Sequence, residues 1–110
     1  MQVNIEAMEL SADRATDLLK ALANRHRLLI ICQLVEGERS VGYLAECLGI
    51  RGSTVSQHLA LLRKDGLVAA RRDAQTIYYS VASTPARQVL AALYRAYCAP
   101  GNSKKTKGKV

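Results

Sequence analysis

A mainly α-helical domain with one small β-hairpin is what the sequence predicts, on three observations. Apolar residues recur at helical spacing in five separate segments, bounded by capping side chains or glycine stops. The period changes once, to the alternation of a strand pair, between Leu67 and Val81. The chain has 110 residues, 49% hydrophobic, with no Trp or Phe, which suffices for one core filled by Leu, Val and Ile.

Residues 11–22 form the first predicted helix, with Leu18, Leu19 and Leu22 apolar and Asp13 and Asp17 near its positive end. Asn24 caps a second helix that ends at Gly37. Its run Leu28, Leu29, Ile30, Ile31, Cys32 is apolar almost all round and predicts burial on several sides. Ser40 caps a short third helix with Val41, Leu44, Ala45 and Leu48 in register, closed by Gly49. Ile50, Arg51 and Gly52 make the turn into a fourth helix, for which Ser53 is the expected N-cap, Val55, Leu59 and Leu62 the apolar stripe, and Gly66 the stop.

Opposite that stripe stand Thr54, Ser56, Gln57, His58, Arg63 and Lys64. A solvated helix is ordinarily richer in Glu and Lys; short uncharged donors and acceptors near a helix start suit base edges and phosphates in a major groove. Two short helices joined by a tight glycine-containing turn form a helix-turn-helix. The hairpin follows, with strands over residues 67–72 and 76–81 and the polar tip Asp73, Ala74, Gln75. Too small to stand alone, it must pack on the helices as a wing, with Arg71 and Arg72 poised for a phosphate backbone. A last helix starts at Ser83, Thr84 and Pro85 and runs to Cys98.

The fold class is therefore a winged helix-turn-helix of five helices and a two-stranded wing. One small domain does not need its first and last helices facing inward along their whole length, so a homodimer is expected, with Leu18, Leu90, Leu93, Tyr94 and Tyr97 at its interface. A two-fold dimer presents two reading helices about one DNA turn apart, the geometry of an inverted-repeat operator. Three segments result: an N-terminal arm (1–10), the DNA-binding and dimerisation domain (11–98) and a disordered Lys-rich tail (99–110).

The net charge of +7 is uneven. Residues 1–50 carry five basic and seven acidic side chains, whereas residues 51–80 carry five basic and two acidic. The helix-plus-wing half is the basic one, as a double-stranded DNA partner requires, and Lys104, Lys105, Lys107 and Lys109 add charge without sequence specificity. No apolar run spans a bilayer and no signal pattern opens the chain, so a cytoplasmic protein with no membrane partner is expected. With no phosphate-binding glycine loop and no acid/base constellation beyond two separated histidines, neither an enzyme nor a cofactor is expected. A winged helix used only for protein contacts would not need the paired wing arginines.

On these elements the sequence resembles the ArsR/SmtB family of winged-helix bacterial regulators over residues 11–98. The most specific pieces are residues 21–28 (ALANRHRL), Ser56 to Leu59 (SQHL), and Gly66, Leu67, Val68 leading to Arg71, Arg72, Tyr78 and Tyr79. Many members sense metals through a Cys-x-Cys pair in the third helix or through His and carboxylate ligands on the last. This chain departs from both: its third helix holds only Cys47 and its last has no His, Asp or Glu. No metal site is therefore expected, because three or four convergent ligands are missing.

Cys32 and Cys98 instead fall where the sulfide- and redox-sensing branch, of the BigR, SqrR and HlyU type, carries its reactive pair. The resemblance implies that the two helices pack side by side and that the thiols are linked by oxidation or through inserted sulfane sulfur, with reactive sulfur species as effectors and sulfide detoxification genes as targets. Cys47 lies beside the apolar stripe of its helix and matches no sensor position. The function expected is a DNA-binding repressor whose operator affinity is switched by linking Cys32 to Cys98. The alternatives are a redox-responsive anti-repressor that displaces another DNA-bound protein and, more remotely, a metal-sensing repressor.

Overall fold

Four of the five helices open where a side-chain oxygen accepts a backbone N–H three residues on. The acceptors are Asn4 from Ala7 (3.0 Å), Asn24 from Arg27 (3.1 Å), Ser40 from Tyr43 (3.2 Å) and Ser83 from Ala86 (3.1 Å). The computed structural model describes residues 1–98. They form α1 (Ile5–Leu22), α2 (Arg25–Val35), β1 (Arg39–Ser40), α3 (Val41–Leu48), α4 (Gly52–Lys64), β2 (Val68–Asp73), β3 (Thr76–Val81) and α5 (Thr84–Tyr97). The expected Lys-rich tail lies outside the described residues.

Two helix starts differ from expectation. Helix α1 begins at Ile5, not near Ser11, because the Asn4 cap and Glu6 in the first turn stabilise the N-terminal end; most of the expected arm is helix. Helix α4 has Arg51 as its N-cap residue with no side-chain cap bond, which puts Ser53 inside the first turn. The tight connection explains this. Gly49 closes α3 in the left-handed region (φ 67°), the N–H groups of Gly49 and Ile50 both return to the Ala45 carbonyl, and the Arg51 carbonyl already accepts from Val55 at 3.1 Å.

The sheet has three strands rather than two, in the order β1-β3-β2, all antiparallel. The hairpin runs in register from Val68 opposite Val81 to Asp73 opposite Thr76, and Ala74 turns the chain at φ 58°. The unexpected β1 pairs Arg39 with Tyr79 and Ser40 with Tyr78, tying the base of the wing to the segment between α2 and α3.

The core is built around α2. Ile30, Ile31 and Leu34 meet Leu44 of α3, Val55, Leu59 and Leu62 of α4, Val68 and Val81 of the hairpin, and Ala86 and Leu90 of α5. Each large side chain fully withdrawn from water contributes about 1.5–3 kcal/mol, so this shared cluster holds reading helix, wing and last helix in one frame. The Arg27 Nε–H donates to the Ala21 carbonyl at 2.8 Å and fixes the α1–α2 corner. Burial of α2 is one-sided rather than all round: Cys32 is exposed. Among the described residues no helix is long and apolar enough to cross a membrane.

Candidate functional site: nucleic-acid interface and thiol pair

The buried stripe of α4 dictates what its other side presents. With Val55, Leu59 and Leu62 fully buried, Ser53, Ser56, Gln57 and Arg63 face solvent and Thr54 is half-buried. Ser56, Ala60, Arg63 and Lys64 line a groove of about 460 Å³ that Tyr79 of β3 closes from the wing side. This is a small, weakly charged rim with cations at the helix C-terminal end, where they also complement the helix dipole.

His58 departs from the expected reading face. It is half-buried, its Nδ1 is sealed from solvent without a hydrogen-bond partner, and its ring lies 5.8 Å from that of His26 on α2. One turn after Val55 and beside Leu59, its position borders the core stripe. Burial, reinforced by the charges of Arg27 and His26, pushes the His58 pKa below its ordinary value.

The two wing arginines also differ. Arg71 is engaged within its own chain, with Nε 3.0 Å from Oε2 and Nη2 2.8 Å from Oε1 of Glu38, and its guanidinium lies 5.2 Å from the centre of the Tyr78 ring. Arg72 is exposed and donates from Nη1 to the Ala74 carbonyl at 3.4 Å. Both arginines are exposed, but of the pair expected at a phosphate backbone Arg71 is held by a carboxylate and Arg72 only by a carbonyl. Glu38 escaped sequence reading because it lies 33 positions from Arg71 and beside a strand only two residues long.

Cys32 and Cys98 stand on α2 and at the end of α5, two helices that meet across a cleft. Cys32 stands on α2 at the wall of a cleft of about 440 Å³ between α2 and α5, with Val35, Arg87, Leu90, Tyr94 and Arg95 around it. Cys98 is the C-cap of α5 and donates its N–H to the Tyr94 carbonyl at 2.7 Å. Although Cys32 keeps an exposed surface, partial covering pushes its thiol pKa up, and negative charge on Cys98 pushes it further. All three cysteines are free thiols, and Cys47 projects from α3.

The residues expected at a dimer interface divide. Tyr94 and Tyr97 are 63% and 71% exposed and Leu93 is half-buried, on the outer side of α5. Leu90, by contrast, is only 6% exposed, one turn from the buried Ala86, and belongs to the core of its own chain. Leu18 packs partly on that core, and Ile5, Met8, Leu10 and Leu19 are the exposed apolar residues of α1.

The model of the bacterial regulatory protein arsR family matches residues 24–70, from the cap of α2 into the wing. The transcriptional activator HlyU of Vibrio cholerae is 46% identical over 87% of this chain and 89% of its own length. The chain belongs to the arsR family. Another member, the biofilm growth-associated repressor of Xylella fastidiosa, is 44% identical over 86% of the chain and 82% of its own length. Solved structures agree: reduced HlyU from V. cholerae superposes with a TM-score of 0.80 at 46% identity (84% of this chain, 98% of that one). The repressor BigR from X. fastidiosa gives 0.83 at 42% identity (88% and 99%). A homodimeric winged helix-turn-helix DNA-binding domain from Mycobacterium bovis gives 0.70 at 35% identity (86% of each chain). Over the matched residues these structures share the fold of this arsR-family chain, and the relatives named for a function are transcriptional regulators, not enzymes. Among the described residues no group of three His, Cys, Asp or Glu side chains is gathered closely enough to hold a metal ion.

Proposed function

We propose that the protein is a homodimeric, DNA-binding repressor of transcription that loses operator affinity when Cys32 and Cys98 become covalently linked. The observation that supports this reading is the place of Cys32 on the wall of the cleft between α2 and α5, the helix that Cys98 caps, with charge on Cys98 opposing ionisation of Cys32. The repressor named among the relatives and the reduced form in which HlyU was solved support it. The homodimeric relative supports assembly through the exposed sides of α1 and α5. Ser53, Thr54, Ser56, Gln57 and Arg63 serve α4 as the reading helix, and Arg72 contacts the phosphate backbone.

The chemistry is sulfur transfer. Each cysteine thiolate attacks the terminal sulfur of an organic persulfide, forming a cysteine persulfide and releasing the donor as a thiol. The terminal sulfur of one cysteine persulfide, as its anion, then attacks the inner sulfur of the other and expels hydrosulfide. In sum, two thiols and two persulfides give one trisulfide, two donor thiols and one hydrogen sulfide. A direct disulfide needs Cα atoms about 4.4–6.8 Å apart, and an inserted sulfur lengthens the reach, so helix spacing selects the oxidant. A link across α2 and α5 biases the packing on which α4 rests; a coupling of about 1–3 kcal/mol changes affinity roughly 5- to 150-fold.

Footprinting on the DNA upstream of the protein's own coding region, with and without a persulfide donor, tests the reading. Wild type and Cys47→Ser should bind and then release; Cys32→Ser and Cys98→Ser should bind and stay. Release of Cys98→Ser by the donor would overturn the paired-thiol switch. Because one relative is named an activator, a second reading stands beside the first: displacement of another DNA-bound protein. A reporter whose expression rises with the protein only when a competing DNA-binding protein is present would favour it.

A further inference from the structure

We propose that Glu38 is the positioning residue of the wing, clamping Arg71 across β3 so that Arg71 orients the hairpin and only Arg72 of the pair contacts the DNA backbone. The inference rests on the DNA-binding reading above and adds a division of labour within the wing. Ser40 of β1 pairs with Tyr78 of β3, and Tyr78 pairs with Arg71 of β2, so the three residues form one row across the sheet. Alternation along a strand returns a side chain to the same face every second residue, and Glu38 lies two positions before Ser40. From there its carboxylate reaches over β3 to the outer strand and takes Arg71 with both oxygens, at 3.0 Å to Nε and 2.8 Å to Nη2. The Tyr78 ring lies beneath the guanidinium, 5.2 Å from centroid to Cζ, and Asp73 adds a longer contact of 4.0 Å.

A lone exposed ion pair contributes little. This one differs in being bidentate, supported by an aromatic face and anchored where β1 itself holds the sheet, so three weak attachments oppose the same motion of the hairpin. An arginine satisfied in this way would have to leave a carboxylate to reach a phosphate, whereas Arg72, next along the strand and on the opposite face, gives up only a carbonyl contact. Pairing with Arg71 also holds the Glu38 carboxyl below the usual carboxylate range, so the clamp persists into mild acid. Glu38 lies six positions after Cys32, just past the end of α2. The clamp thus joins the cysteine-bearing helix to the wing.

Salt dependence distinguishes a clamp from a phosphate contact, because removing one cation from a phosphate lowers the slope of log affinity against log salt by about 0.9. Titrations would use the full chain and a duplex of its own upstream DNA. Arg71→Ala should weaken binding about fivefold, the upper range for an exposed pair, with the slope unchanged, while Arg72→Ala should lower the slope. The exchanged pair Glu38→Arg with Arg71→Glu should restore most of the affinity. A slope that falls in Arg71→Ala as in Arg72→Ala overturns the proposal, as does an exchanged pair weaker than the single variant. Equally, tighter binding with a steeper slope in Glu38→Ala would make the carboxylate a competitor of phosphate, not a positioner. Amide hydrogen exchange in the DNA-free protein supplies an arm independent of DNA binding. Protection of β2 and β3 should drop in Arg71→Ala and return in the exchanged pair, and unchanged protection would sink the clamp even if the wild type bound no DNA.

Discussion

The His58 ring of the reading helix lies 5.8 Å from the His26 ring of α2, tilted by 40°, with Nδ1 of both rings buried and without a hydrogen-bond partner. Burial there, with Arg27 and His26 close by, disfavours the imidazolium form of His58.

Stability should therefore depend on acid. Burial, then Arg27 and His26, holds the His58 pKa below its ordinary 6.5 in the folded protein, so the unfolded chain binds more protons as pH falls past that value. Stability contributed by the neutral ring is fully present above pH 6.5 and is lost as pH falls through the lower folded value. Melting temperature measured between pH 7.5 and about 5 should fall more steeply for wild type than for His58→Gln. Parallel curves would show that this contact does not govern the acid response.

Base reading should reside in the outward residues of α4. Gln57 is exposed near the helix start, so Gln57→Ala should cost about 1–3 kcal/mol at the operator and little on unrelated DNA. Competition titration against an unrelated duplex checks this. Equal losses on both duplexes would assign Gln57 to the backbone instead.

The outer and inner residues of α5 should separate assembly from folding. Tyr97→Glu places a charge on a side chain 71% exposed in the single chain, so it should yield a folded monomer. Leu90→Glu buries a charge in the core and should unfold the chain. Light scattering with circular dichroism reads both states; a Tyr97→Glu protein that remains a dimer would move the interface away from this side of α5.

Cys32 should react slowly until its neighbour is removed. Partial covering and the Cys98 charge both favour the Cys32 thiol over the thiolate, which is the nucleophile. Iodoacetamide labelling at pH 8, followed by peptide mapping, should find Cys32 slower in the folded chain than in urea, and faster in Cys98→Ser than in wild type. A Cys32 rate unchanged in Cys98→Ser would remove the coupling between the thiols.

Much of this protein was determined locally. Asn24, Ser40 and Ser83 accept N–H groups three residues away, and Gly49 and Gly66 take left-handed turns that other residues resist; these events need no distant partner, so the sequence alone placed the ends they mark. The stripe of Val55, Leu59 and Leu62 likewise determined which side of α4 is buried. Tertiary structure decided the rest, where two remote segments must meet. Strand β1 exists because Tyr78 and Tyr79 offer it hydrogen bonds, and only that pairing puts Glu38 within reach of Arg71. His58 borders the apolar stripe, and only the fold brings its ring to within 5.8 Å of that of His26, 32 positions earlier. Cys32, in the most apolar stretch of the chain, is exposed because the core takes Ile30, Ile31 and Leu34 and leaves the intervening side to the cleft with α5. A helical pattern specifies a face; which neighbour covers it depends on contacts between distant parts of the chain, to which periodicity is blind.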